Sequence, residues 1–356
     1  MKKFSRIFAV VFALVLCMAL AVPAFATNAA TEGSGTLTVY KYLTFKSTAT
    51  LPATSFSFTL APDTNGTTGW TAPDVAGITE GLASTTFTAN FSTSSSVSNG
   101  LPSDNGTATS GMQYATESFT IDFTGITFPN PGVYHYTLTE NTVSAPFTGD
   151  STVLKIAVYV IAENDGTLKI AAVTAGTGDT KVDGKLTNDY TTYDLTLIKT
   201  VSGNQASHTD HFDFKVTVTN PTTANTTYPT TYNVTTTCGH STVSNPDTIT
   251  AGQETVFHLC KNENIVIQGL PAGATYTIEE TTTGYTTTYK VGAATESTSS
   301  DTATGTLNED TTVTFNNYRN GDVPTGILLT IAPFAALMVI GIAGVLFVVL
   351  KKRSAQ

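Results

Sequence analysis

Twice in this chain a run of alternating apolar residues arrives at a lysine that shares the apolar face. Leu37, Val39 and Lys41 alternate with Thr38, Tyr40 and Tyr42, and Leu195, Leu197 and Lys199 repeat the pattern. A period of two is the mark of a strand with one buried face. Lysine is among the residues least often found fully inside a protein, so this placement constrains the fold strongly. Each half then adds two more polar residues in the buried phase. Tyr134, Tyr136 and Leu138 lead to Glu140, and Tyr276 and Ile278 lead to Glu280, which leaves Glu279 toward solvent. The halves close on Leu186-Thr187-Asn188-Asp189-Tyr190 and on Val313-Thr314-Phe315-Asn316-Asn317-Tyr318, where Asn317 has the parity of Val313 and Phe315.

The segments between these landmarks fit the same class. Phe56, Phe58 and Leu60 predict a second strand, echoed by Phe212, Phe214, Val216 and Val218, and a further strand runs from Val153 to Ile161. Residues 65–111 are rich in Gly, Ser, Thr and Asn around a single tryptophan, Trp70, and predict long loops with short strands. No long stretch between residues 27 and 321 has helical periodicity, so the class is all-β, with enough chain for about two domains.

The ends are different. Lys2, Lys3 and Arg6 precede an apolar core from Ile7 to Val22 and the small-x-small sequence Ala24-Phe25-Ala26, which predicts an export signal over residues 1–26. Cys17 leaves with it. At the other end an apolar run from Ile327 to Leu350 exceeds the roughly 20 residues that span a bilayer, and Lys351-Lys352-Arg353 suits the cytoplasmic side. Just before that run stands Asp322-Val323-Pro324-Thr325-Gly326, which resembles a sortase sorting signal, cut between Thr325 and Gly326. Removing both ends takes away three positive charges from each and no acid, moving the formal charge from -10 to -16. A chain this acidic has no basic face for nucleic acid.

Lys, Glu and Asn on an apolar face are costly to bury without partners. Desolvation favours the neutral amine and the protonated carboxyl. A neutral amine is a nucleophile, and a protonated Glu hydrogen-bonded to the Asn carboxamide oxygen would polarise the carbonyl that the amine attacks. Loss of ammonia then leaves a Lys-Asn isopeptide bond, formed once, with no turnover and no cofactor. The competing reading is a buried Lys-Glu ion pair; two sets in the same strand order favour the reaction.

These motifs give the chain its resemblance to the backbone pilins of Gram-positive bacteria, of the two-domain streptococcal T-antigen or FctA type. The shared features are Leu37-Thr38-Val39-Tyr40-Lys41, the box Pro131-Gly132-Val133-Tyr134 through Glu140, Val201-Ser202-Gly203 after Lys199, Leu270-Pro271-Ala272-Gly273 before Tyr276, and Val323-Pro324-Thr325-Gly326. The resemblance implies two tandem Ig-like (CnaB-like) β-sandwiches, over 27–190 and 191–320, with a sorting segment over 321–356. It implies one bond made by Lys41, Glu140 and Asn188 and another made by Lys199, Glu280 and Asn317, the same six residues that parity selects. Glu140 and Glu280 are the acids, and the two lysines and two asparagines are the joined residues.

By the same resemblance, a sortase joins Thr325 of one subunit to a lysine of the next. Lys181, within Asp179-Thr180-Lys181-Val182-Asp183, matches the acceptor position, with Lys185 and Lys169 as rivals. The implied partners are a pilin-polymerising sortase, identical subunits and cell-wall peptidoglycan, and the implied location is the cell surface, after a transient membrane-anchored precursor. The alternative is a singly anchored adhesin that binds a host ligand through the loops between Asn65 and Gly111. Cys238-Gly239-His240 and His258-Leu259-Cys260 form a mirror-image pair. A Cys238–Cys260 disulfide is the leading expectation outside the cell, ahead of two thiols; the spacing does not fit common zinc patterns. His208, Asp210, His211 and Asp213 read as a solvated loop, and no metal site is expected.

Overall fold

The structure is a computed structural model, and it describes residues 35–64, 74–104, 107–177, 180–181, 184–237, 239, 243–295, 297–321, 337–347 and 350–351. The expected export signal, Trp70, Cys238 and the pentapeptide Asp322 to Gly326 lie outside these residues.

Two sandwiches follow one another, each with its own apolar core. In the first, a five-stranded sheet runs in the order Val97–Asn99, Met112–Asp122, Thr36–Lys46, Lys185–Tyr190, Phe147–Thr148. The facing sheet runs Thr180–Lys181, Leu168–Thr177, Leu154–Ala162, Gly132–Glu140, Ala53–Pro62, with Thr226–Thr227 at its edge. Thr86–Phe91 also pairs with Ala53–Pro62, and Asp74–Ala76 with Gly132–Glu140. In the second domain a six-stranded sheet orders Thr248–Thr250, Thr231–Thr237, Asn264–Pro271, Thr192–Ser202, Thr311–Tyr318 and Thr286–Val291. It faces a sheet of Thr255–Leu259, Phe212–Thr219, Thr275–Thr281 and Thr302–Thr306.

The alternation read from the sequence is the alternation of burial. Leu37, Val39, Lys41, Leu43 and Phe45 all face the first core, and Phe212, Phe214, Val216 and Val218 all face the second. In each domain the first and last strands lie side by side and parallel. Leu43 stands opposite Asn188 and Val201 opposite Asn317. Each asparagine is therefore opposite the residue two beyond the lysine, on the same face, so the two side chains meet diagonally across the ladder.

The domains are also joined to each other, which the sequence did not foretell. Thr226 and Thr227 of the second domain pair with Thr54 and Ala53 of the first, and Tyr228 is buried in the first domain's core. Gly269, at φ +68°, brings its backbone against the first domain: a Cβ there would stand 2.6 Å from Ala49 Cα. Lys46 Nζ lies 3.0 Å from Asp310 Oδ1 across the same junction. That oxygen also accepts the backbone N–H of Asp194 at 2.9 Å.

Residues 337–347 and 350–351 are helical. Among the described residues no helix is long and apolar enough to cross a membrane; the apolar run from Ile327 to Leu350 extends through residues that are not described.

Candidate functional site

Each sandwich buries one lysine, one glutamate and one asparagine together. Lys41, Asn188, Lys199 and Asn317 are all 0% exposed. The lysine and asparagine come from adjacent parallel strands of one sheet, and the glutamate reaches across the core from the other. Aromatic rings wall off water: Lys41 Nζ lies 5.5 Å from the ring centroids of both Phe56 and Phe58, and Lys199 Nζ lies 4.3 Å from Phe212 and 5.7 Å from Phe214.

In the second domain one carboxylate oxygen contacts both nitrogens. Glu280 Oε1 accepts from Lys199 Nζ at 2.6 Å and from Asn317 Nδ2 at 2.6 Å. The first domain has the same arrangement, with Glu140 Oε1 at 3.1 Å from Lys41 Nζ and 2.7 Å from Asn188 Nδ2. Lys41 Nζ also donates to Asn188 Oδ1 at 2.6 Å, beside the carbon it would attack.

This corrects one detail of the sequence reading. The glutamate faces the amide nitrogen of the asparagine, where a bond to the amide oxygen was expected. In the first domain the reason is geometric. The backbone N–H of Asp150 donates to Asn188 Oδ1 at 2.8 Å, and since a backbone N–H can only donate, it fixes the oxygen on its own side. In the second domain the Thr287 hydroxyl donates to Asn317 Oδ1 at 3.1 Å.

Burial dominates the electrostatics. Desolvation lowers the Lys199 amine from the usual lysine range to about 8, with Glu280 opposing the shift. It also pulls Lys41 down, against the opposing charge of Glu140. Glu280 is pushed up by desolvation, partly offset by Lys199 and Asn317, and its Oε2 is buried without a hydrogen-bond donor. All of these changes favour transfer of the lysine proton to the carboxylate.

The other candidate residues fall elsewhere. Lys181 lies on the two-residue strand Thr180–Lys181 at the edge of the larger sheet of the first domain, opposite Gly176. Of its rivals, Lys169 forms an ion pair with Glu163, and Lys185 is exposed at the start of the last strand of that domain. Cys260 is buried, with its Sγ 3.3 Å from His211 Nδ1. The Glu263 carboxylate accepts both the Cys260 N–H and the Gly239 N–H at 2.7 Å, drawing the Gly239 backbone toward Cys260. The polar loop does not converge on one point: Asp213 meets His258, Asp210 meets Tyr285, and His208 lies by Lys261. Among the described residues no group of three or more His, Cys, Asp or Glu side chains is placed to hold a metal ion. Asp150 and Thr287 were not singled out from the sequence, because one lies in a loop and the other in a run of threonines.

Comparison with known proteins gives a consistent picture. Residues 37–191 match the family described as a Spy0128-like isopeptide containing domain, and residues 193–319 match a domain of unknown function. A curated pilin of Streptococcus pyogenes serotype M1 is 30% identical over 337 residues, covering 89% of this chain and 91% of that protein. The crystal structure of the major pilin from Streptococcus pyogenes matches with a TM-score of 0.66 at 23% identity, covering 81% of this chain and 99% of that one. A second major pilin from that species, T3.2, matches with a TM-score of 0.63 at 20% identity, covering 82% and 99%. The structural likenesses establish the fold.

Proposed function

This chain belongs to the pilin family, and on that premise we propose that it is a structural subunit of a cell-surface pilus that cross-links each of its own domains. The observation that carries the cross-linking is the single glutamate oxygen in contact with both reacting nitrogens. A lysine proton passes to that oxygen, leaving a neutral amine. The amine attacks the asparagine Cγ, and a new Nζ–Cγ bond forms as the Cγ–Nδ2 bond breaks. The glutamate passes that proton to Nδ2, which departs as ammonia, and takes up the second proton that Nζ sheds as it becomes an amide, so it ends protonated. No oxidant, metal or cofactor enters the balance, and each site reacts once.

Each bond would join the first and last strands of its domain, already paired in parallel. A sortase would then join Thr325 of one subunit to Lys181 of the next, with the last subunit passed to peptidoglycan. Support for Lys181 comes from its place on a sheet edge. In that assembly tension enters just before Asn188, crosses to Lys199 and leaves from Asn317 toward Thr325, so most of both domains lies off the load path. A Cys238–Cys260 disulfide would further brace the second domain, supported by the Glu263 bridge to Gly239 and Cys260.

The assembly is tested in a sortase-bearing host. Wild type should give a ladder of oligomers that survives boiling in SDS, and Lys181→Ala should abolish it. A ladder unchanged by Lys181→Ala would overturn the acceptor assignment. Monomers alone in the wall fraction of wild type would favour the singly anchored adhesin.

A further inference from the structure

We propose that the Thr287 hydroxyl in the second domain and the backbone N–H of Asp150 in the first are the donors that hold the developing oxyanion during cross-linking. The inference rests on the cross-linking reaction above and assigns the half of the site that the glutamate leaves vacant. When the amine attacks, the asparagine Oδ1 takes on negative charge, and a group must receive it in a site that excludes water. The glutamate is turned to the nitrogen side. What faces the oxygen is a fixed donor in each domain: Asp150 N–H at 2.8 Å from Asn188 Oδ1, and Thr287 Oγ1 at 3.1 Å from Asn317 Oδ1.

Both donors are positioned in advance. The Asp150 carboxylate accepts the backbone N–H groups of Thr152 at 2.8 Å and of Thr187 at 2.7 Å. Thr187 adjoins Asn188, so the aspartate pins its own N–H to the strand that carries the reacting amide. Asp150 N–H also reaches Glu140 Oε2 at 2.8 Å, which ties acid and oxyanion site together. Thr287 stands directly opposite Asn317 in the antiparallel ladder, so its hydroxyl reaches the amide oxygen from the neighbouring strand. Donors arranged before the reaction cost no reorganisation when charge appears, and removing one such donor typically slows acyl chemistry by about 10²- to 10³-fold. The two domains therefore solve the same problem with different groups, a main-chain amide in one and a side chain in the other. Only the second can be deleted by a simple substitution.

Thr287→Val keeps the branched shape and removes the donor. The full chain is synthesised in a short cell-free pulse, chased, quenched in acid and digested, and the two branched peptides are quantified in the same sample. The Lys41–Asn188 peptide serves as an internal clock. Thr287→Val should slow the Lys199–Asn317 peptide by on the order of 10²-fold while the Lys41–Asn188 peptide keeps its wild-type rate, and Thr287→Ser should restore most of the loss. A valine variant that keeps the wild-type ratio of the two rates would overturn the assignment, and so would a serine variant as slow as valine. If wild type yields neither branched peptide, the cross-linking reaction itself fails and the donor assignment falls with it.

Discussion

Replacing Glu280 by Gln should leave the second domain folded but without its covalent bond, and the cost can be worked from the chain. The bond from Lys199 to Asn317 closes a loop of 118 positions, the difference between the two residue numbers. Treated as a cross-link that removes loop entropy from the unfolded chain, it should stabilise by about 5 kcal/mol. A domain of this length unfolds with an entropy of roughly 2.1 cal/mol/K per residue, so its melting temperature should fall by roughly 15–20 °C. Burying Lys199 without an anionic partner adds to that loss. Calorimetry of wild type and variant, with the first domain as reference, reads the shift, and intact mass reads the bond. A variant that lacks the bond yet melts within a few degrees of wild type would refute the loop-entropy reasoning. A variant that still loses ammonia from the second domain would refute the role of Glu280.

The reactive pair shares one proton, so the rate of Lys199–Asn317 formation should be level on the acid side of the lowered lysine pKa of about 8 until the raised glutamate pKa is reached. Above about 8 the pair loses its remaining proton, and the rate should fall tenfold per pH unit. Pulse-chase at graded pH reads this directly; a rate that rises through pH 8 would mean that the amine acts without a protonated glutamate. Under force, a wild-type second domain pulled from its termini should extend little, while Glu280→Gln should release most of the chain between residues 199 and 317. Equal contour lengths in single-molecule pulling would contradict the load path.

The six residues of the two buried clusters were legible because the strand period reports burial, and a polar residue in the buried phase stands out. Lys41, Glu140, Asn188, Lys199 and Asn317 have fully or nearly buried side chains, and Glu280 is 2% exposed against an exposed Glu279. The donors were not legible. Asp150 acts through its backbone, which carries no sequence signature, and Thr287 is one of several threonines whose partner depends on register with the last strand. The rotation of the Asn188 amide followed from the Asp150 N–H, so the sequence reading had the glutamate on the wrong atom. Interdomain pairing was equally hidden: Thr226–Thr227 is a polar strand of two residues, too short to show a period. It finds its place only because the first domain offers an open sheet edge and Tyr228 a place in the core.

Intact mass tests the two covalent bonds directly. Wild-type chain, denatured and fully reduced, should weigh less than its sequence by one ammonia per domain. Digestion should yield Lys41 joined to Asn188 and Lys199 joined to Asn317. A mass equal to that of the uncross-linked sequence would contradict the account and leave two buried ion pairs in its place.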